Sequence, residues 1–248
     1  MQFFQPANCS FARIMILLFL SVGSVGAGAD VKENHNGVDK IYDPYVQPLE
    51  RELELRGVYQ TDDDPVEDDV LRHRIGFGVS ITARIFAEIQ AKSIKLPGGT
   101  NQLDGYELET KIQLTEQGEY GADWGLLLEL GRQRSESIAE FSMTLLLAKH
   151  WGSWVGTLNT GVEYEFGSDI VNEFDTRMAA QLRYRFREYL EPAIEFYADE
   201  FTRGIGPVLT GLIRTEGKAK WRWETGVIFL LNNTTPERSL RFLLEYEF

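Results

Sequence analysis

The feature that most constrains the fold is an alternation of apolar and polar residues, which runs from about residue 50 to the end of the chain. At the C-terminus, charged residues alternate with an apolar set formed by Leu240, Phe242, Leu244, Tyr246 and Phe248. Residues 158–166 and 178–186 alternate in the same way. Successive side chains point to opposite faces of a β-strand, whereas a helix would scatter these charges around its circumference. The alternation therefore predicts an all-β chain.

The polar faces favour a membrane barrel over a soluble sandwich, because they carry charges of both signs while aromatic residues stand at the ends of the apolar faces. The segments are longer than most strands of soluble proteins and reach the 9–11 residues that a tilted strand needs to cross a bilayer. We predict a transmembrane antiparallel up-and-down β-barrel of about twelve strands, with ten or fourteen as the alternatives. The predicted strands are 49–60, 70–80, 84–93, 105–114, 122–132, 138–150, 154–166, 174–186, 190–198, 205–214, 220–231 and 238–248.

The N-terminal residues have the pattern of a secretory signal peptide. Arg13 precedes a short apolar run, and small residues then lead to Ala27 and Ala29, which form an A-x-A cleavage site. We expect residues 1–29 to be removed after Ala29, residues 30–48 to be a flexible periplasmic lead-in, and residues 49–248 to form the barrel. A plug formed by residues 30–48 is the alternative, although their composition does not require it. Cleavage removes Cys9, the single cysteine. We therefore expect no disulfide, no Fe–S cluster and no cysteine-ligated zinc in the mature chain. No other metal site and no cofactor is predicted.

Composition excludes two other classes. The formal net charge of −13 argues against nucleic-acid binding, which needs a clustered basic surface. No second long apolar run follows residue 30, which excludes a bundle of membrane-spanning helices.

Connector lengths predict the orientation of the barrel. Every second link is longer, which is typical of extracellular loops, so both chain ends are expected in the periplasm. Aromatic rings favour the bilayer interface. On this strand map, a single aromatic girdle is predicted at the periplasmic end, consisting of Trp124, Trp151, Trp154, Trp221, Trp223, Tyr246 and Phe248.

With its terminal alternation ending in Tyr246 and Phe248, the chain resembles Gram-negative outer-membrane β-barrel proteins. Residues 42–48, leading into the first strand, are similar to those of small uncharacterised exported barrels of proteobacteria. The resemblance implies an outer-membrane location in contact with lipid and lipopolysaccharide. It also implies recognition of the last strand by the barrel-assembly machinery.

The lumen-facing charges are predicted to form an arginine stripe between two acidic stripes. The residues of this stripe are Arg177, Arg183, Arg185, Arg187, Glu163, Glu165, Glu191 and Glu195. Across a tight turn at residues 188–190, we expect Arg187 to face Glu191 and Arg183 to face Glu195, because opposite charges stabilise a strand pair. Acidic residues predominate on the remaining wall, so an open pore is expected to favour cations.

These features suggest a monomeric, narrow, porin-like channel for small solutes. The alternative is a closed barrel with a structural or surface-interaction role, filled by paired long side chains. A lipid- or peptide-acting enzyme is the third and least favoured hypothesis. His73 is predicted on the lipid-facing phase and His150 in the lumen, and neither has an evident serine partner for nucleophilic catalysis. We expect no enzymatic activity and no catalytic residues.

Overall fold

The computed structural model describes residues 37–62, 68–134, 138–168, 171–200, 202–215, 217, 219–231 and 237–248. Twelve strands form within these ranges: β1 Arg51–Thr61, β2 Val70–Ser80, β3 Ile85–Lys95, β4 Gln102–Gln113, β5 Asp123–Gln133, β6 Ala139–Trp151, β7 Trp154–Phe166, β8 Glu173–Tyr184, β9 Glu191–Ala198, β10 Arg203–Arg214, β11 Lys220–Leu230 and β12 Arg238–Glu247. Within the same ranges, no helix is long and apolar enough to cross a membrane.

Each strand pairs antiparallel with its neighbours in sequence, and β1 closes the barrel by pairing with β12. This last pairing runs from Glu52 opposite Glu247 to Thr61 opposite Arg238. The predicted fold and the predicted number of strands are confirmed. We call the end where β1 begins and β12 ends the proximal end, and the opposite end the distal end.

The distribution of side chains in β1 is the reverse of that in a soluble protein. Leu53 and Leu55 are 49% and 38% exposed on the outer face, whereas Glu52 and Glu54 are buried on the inner face. The alternation extends around the barrel and leaves large apolar side chains such as Ile75, Phe77 and Ile89 exposed. A closed sheet satisfies all of its backbone hydrogen bonds internally, so an apolar outer wall of this kind is suited to contact lipid.

The residues predicted as an aromatic girdle lie at or near strand ends on the proximal side. The five tryptophans belong to the starts of β5, β7 and β11 and to the end of β6. The Trp221 ring lies 4.6 Å from the Tyr246 ring, which in turn stacks on Phe248 at 5.5 Å. Four of the indoles, and Phe248, are exposed on the outer face, while Trp223 and Tyr246 are half-buried.

The predicted pairing of β8 with β9 is wrong by two residues. Gln181, not Arg183, faces Glu195, and Arg183 faces Ala193. The strands end earlier than the alternation suggests, because residues 185–190 form the connection. Within it, Arg187 and Leu190 exchange two backbone hydrogen bonds, which closes a turn distinct from the strand ladder.

The expectation of a flexible lead-in is also wrong for residues 37–48, which lie inside the barrel and are here called the inner segment. Val38, Ile41, Tyr42 and Val46 are buried. The backbone amide of Gly37 donates to Thr202 in the distal link between β9 and β10, at 3.0 Å. The inner segment therefore begins near the distal end and runs through the lumen to the proximal start of β1.

Candidate functional site

The inner segment is held by polar contacts with strands on several sides of the lumen. The Tyr197 hydroxyl of β9 lies 2.7 Å from the Asp39 carbonyl oxygen. Nearer the proximal end, the Gln113 side chain of β4 accepts from the Val46 amide at 2.8 Å. Lys220 of β11 donates to the Gln47 side chain at 2.7 Å. Because these partners belong to separate strands of a closed wall, the segment fills the lumen instead of lying along one strand.

Tyr42 stands at the middle of the inner segment and is tied down at both its backbone and its ring. Asn159 on β7 accepts from the Tyr42 amide at 2.7 Å and donates to its carbonyl at 2.8 Å. The Tyr42 hydroxyl lies 2.8 Å from a Glu109 carboxylate oxygen and also contacts the Arg56 guanidinium. Arg56 reaches Glu109 itself at 2.6 Å. This arrangement fixes the segment to β1, β4 and β7 with buried, charge-assisted hydrogen bonds.

Lys40 supplies the segment's ammonium group. Its Nζ lies 2.5 Å from Glu54 on β1 and 2.5 Å from Glu245 on β12, and both carboxylates are almost fully buried. The Lys40 Nζ is also 5.0 Å from the centre of the Tyr42 ring. The segment thus brings its own cation to an acidic part of the wall, which offsets part of the cost of burying those carboxylates.

At the distal end, the inner segment contributes to an apolar cluster inside the lumen. Val38 and Ile41 pack with wall residues from four strands: Val58, Ala193, Tyr197, Val208 and Ile228. Nearby luminal side chains, including Gln60 and Ser239, have no exposed surface. In this conformation side chains of the inner segment and the wall are tightly packed on the β1 and β9–β11 side of the distal lumen, so the inner segment narrows the path of a solute.

A cavity of about 300 Å³ remains between the inner segment and the wall toward the proximal end. Its lining is mainly acidic, with seven carboxylates and three basic side chains. The basic residues are Lys40, Lys111 and Arg222. The carboxylates are those of Asp43, Glu50, Glu52, Glu88, Glu109, Glu245 and Glu247. The excess of negative charge is expected to concentrate cations in this cavity.

The structure places only some residues of the predicted charge stripe in the lumen. Arg177 lies in the lumen, where it contacts Glu129 and pairs with Glu163 at 3.1 Å. Arg183 pairs with Glu191 at 3.0 Å and not with Glu195. Glu165 lies opposite Glu173 of β8.

Arg185 and Arg187 do not belong to the luminal stripe, because the strand ends before them. Both are exposed in the β8–β9 connection. Arg185 lies 3.1 Å from the His150 ring, and Arg187 donates to the Tyr189 hydroxyl at 2.8 Å. The early end of β8 therefore places these two arginines at the proximal rim.

Glu195 belongs to a network that the sequence analysis did not identify. Two nitrogens of Arg241 on β12 each lie 2.6 Å from its carboxylate, and the same guanidinium reaches Glu224 at 2.5 Å. Gln181 and Tyr197 also donate to Glu195, both at 2.7 Å. Because β9 and β12 are not adjacent, this network links separate parts of the wall. No neighbouring-strand pattern could have revealed it.

The two histidines within the described residues differ in position. The His150 Nε2 faces the Tyr45 hydroxyl at 3.0 Å, inside the lumen. Tyr45 also donates to Asp123 at 2.6 Å. His73 lies on the outward phase of β2, and its Nε2 is 3.3 Å from the Asn101 side-chain amide.

Two buried groups of carboxylates have the spacing of metal ligands, although no metal site was expected. They are Glu52, Glu54 and Glu245, and Glu107, Glu109 and Glu129. Side-chain cations already contact both groups. Lys40 contacts the first, and Arg56, Arg74 and Arg177 contact the second. The chain's own basic groups thus engage Glu54 and Glu245 in the first group and all three members of the second.

Comparisons with known proteins identify a related fold. No protein-family model and no curated protein matches the chain. The barrel is similar to the crystal structure of an outer membrane channel from Pseudomonas putida F1, with a TM-score of 0.59 and 13% identity, over 85% of this chain and 98% of that one. A bacterial polysaccharide outer membrane secretin has a TM-score of 0.42 and 10% identity, over 82% of this chain and 99% of that one. The first similarity shows a shared barrel fold.

Proposed function

We propose that this protein is a Gram-negative outer-membrane channel for small cationic solutes, and that its inner segment is a displaceable plug. The observation that carries the proposal is the combination of a charged lumen with an inner segment held mainly by hydrogen bonds and ion pairs. Such polar contacts can be exchanged for contacts with water or solute, whereas the strand ladder of the wall is continuous. The C-terminal strand resembles those of outer-membrane barrels, and the outer wall is apolar. Both features support an outer-membrane location.

The experiment is a single-channel recording in planar bilayers of the mature chain, residues 30–248, and of a variant that lacks residues 30–48. We expect the variant to have a several-fold larger conductance, because the inner segment fills the lumen. In a salt gradient its reversal potential should indicate cation preference, because acidic residues dominate the proximal cavity. A heat-modifiable gel shift would establish that both barrels are folded. Folded barrels that conduct in neither form would contradict the channel and favour a closed structural barrel.

The charge balance of the cavity gives a separate prediction for selectivity. In the variant without residues 30–48, replacing Glu52 and Glu88 by glutamine should reduce cation preference, since both carboxylates line the cavity. Replacing Glu188 by glutamine is the matched control, because this carboxylate is exposed outside the lumen. Equal reversal potentials for the Glu52→Gln/Glu88→Gln variant and the Glu188→Gln control would show that the proximal cavity does not determine selectivity.

We also propose that the last strand is the assembly signal and that cleavage after Ala29 produces the mature chain. The amide of Phe248 donates to the Arg51 carbonyl at 2.9 Å, next to the seam between β1 and β12. Deleting Phe248 should reduce the amount of inserted barrel in cells, while barrel refolded from purified chain should keep its stability. Normal insertion of the truncated chain, seen as an unchanged heat-modifiable gel shift, would contradict this. Mass spectrometry of the mature N-terminus tests the cleavage site.

A further inference from the structure

The ammonium group of Lys40 occupies an acidic cage built by the barrel wall. Its two direct partners, Glu54 and Glu245, lie on the two strands that close the barrel. Glu52 adds a third carboxylate, and one oxygen from each of the three lies within 4.8 Å of the others. All three side chains are buried. Arg56 of β1 lies 3.2 Å from Glu54 and Arg222 of β11 lies 3.7 Å from Glu245, so the wall supplies part of the balancing positive charge. Lys40 adds an ammonium group from outside the wall.

A fourth carboxylate lines the same cavity and has an unused hydrogen-bonding atom. Glu88 on β3 is 2% exposed, and its Oε1 has no hydrogen-bond partner among the described residues. The backbone of β2 makes room for it, because a Cβ on Gly76 would lie 1.8 Å from that oxygen. A buried carboxylate oxygen without a hydrogen bond is costly, so a partner from outside the chain, such as an ion or a water, would stabilise it. Lys40 thus leaves part of the acidic site unsatisfied.

We propose that Glu52, Glu54, Glu88 and Glu245 form a binding site for organic ammonium ions, and that Lys40 is its tethered occupant. This proposal adds the class of solute to the proposed function. Its transport part rests on the proposed channel, whereas its binding part does not. A free alkylammonium ion presents the same donor group as Lys40 and competes for the same oxygens. The Tyr42 ring near the Lys40 ammonium matches this class, because aromatic faces attract ammonium ions.

Competition of this kind would couple solute binding to the release of the plug. When an ammonium ion replaces Lys40 at Glu54 and Glu245, the inner segment loses two of its short ion pairs with the seam strands. Binding of the solute and withdrawal of the segment then favour each other, since a ligand shifts an equilibrium toward the state that offers it more contacts. The bound solute would stand in the proximal cavity, in line with the rest of the lumen.

The test uses chemical rescue of the mature chain carrying Lys40→Ala. This substitution removes three methylene groups and the ammonium, which are the groups of propylammonium. We expect the variant to unfold at a lower temperature than the wild type, and propylammonium chloride to recover most of the loss. In isothermal titration of the barrel in detergent, propylammonium should bind the variant about tenfold or more tightly than the wild type, because the tethered competitor is gone.

Lys111→Ala is the matched control. Lys111 lines the same cavity, but its ammonium lies 3.9 Å from Asp43 and belongs to no pair with Glu54 or Glu245. Propylammonium should not rescue this variant, and sodium chloride at equal ionic strength should rescue neither. Equal stabilisation of both variants by propylammonium would overturn the proposal, as would a stronger rescue of Lys40→Ala by magnesium chloride than by propylammonium. Full rescue by sodium chloride would also overturn it.

A second variant keeps the test decisive if Lys40→Ala does not fold. Lys40→Gln retains most of the side-chain volume and leaves space only for a smaller cation, so methylammonium is the probe. It should bind Lys40→Gln more tightly than the wild type by about tenfold. Equal or undetectable binding to both would overturn the proposal. Because these measurements need no bilayer, a barrel that binds ammonium ions without conducting would contradict the channel and leave the binding site standing.

Discussion

Oxidation of a cysteine pair at positions 44 and 125 is expected to hold the channel closed, and reduction is expected to raise its conductance several-fold. Pro44 of the inner segment packs directly on Gly125 of β5, and a Cβ at Gly125 would lie 2.9 Å from the Pro44 Cβ. The two Cβ atoms of a disulfide are about 3.8 Å apart, so an outward shift of about 1 Å suffices. The bond would fix the middle of the segment to the wall, and solutes could not displace it.

The measurement is single-channel conductance of the mature chain, residues 30–248, carrying Pro44→Cys/Gly125→Cys, before and after addition of a reducing agent. The single variants Pro44→Cys and Gly125→Cys are the controls, and oxidant should leave each of them unchanged. Disulfide formation is followed separately by gel mobility and thiol titration. If the bonded and reduced barrels conduct equally well, the inner segment is not the gate.

Strand number and fold were predictable because the alternation is a property of each strand alone. In β1 and β12, for example, most charged side chains face the lumen and most apolar side chains face outward, with Val58 and Leu243 as inward-facing exceptions. Register was less predictable. The β8–β9 pairing depends on where β8 ends, and Arg185 and Phe186 continue the alternation beyond Tyr184 without pairing to β9. The error moved Arg183 away from Glu195, and it placed Arg185 and Arg187 in the lumen.

The sequence favoured a flexible lead-in over a plug for a different physical reason. Its apolar residues do not alternate, because a single chain within a lumen contacts wall residues on all sides, and Pro44 and Pro48 are typical of a linker. One signal was present in the sequence. Val38, Ile41 and Val46 are apolar positions that a solvated linker does not need, and they stand among two tyrosines, Tyr42 and Tyr45. The buried carboxylates of the lumen also need cations to balance their charge. Lys40 supplies one of them, and its contact with the seam between β1 and β12 depends on the fold.

Arg241→Met is expected to lower the free energy of unfolding by about 3–5 kcal/mol, the usual cost of removing one partner from a buried ion pair. Arg241 is 2% exposed, and its guanidinium binds both Glu195 and Glu224. The substitution keeps a similar side-chain length, but it leaves Glu195 buried with hydrogen bonds from Gln181 and Tyr197 and without its guanidinium. Unfolding in denaturant, with the barrel inserted in lipid vesicles, measures the change.

The matched control is Arg214→Met, which breaks an ion pair of similar length on the surface. Arg214 lies 2.7 Å from Glu188, and the two side chains are 64% and 54% exposed. Water solvates both partners, so little change in stability is expected. Adding Glu195→Gln to Arg241→Met should recover part of the lost stability, because the neutral amide costs less to bury than an unpaired carboxylate. If Arg241→Met and Arg214→Met have equal effects, the network around Glu195 contributes no more than a surface pair. The charged lumen would then be free to rearrange around a passing solute without loss of the barrel wall.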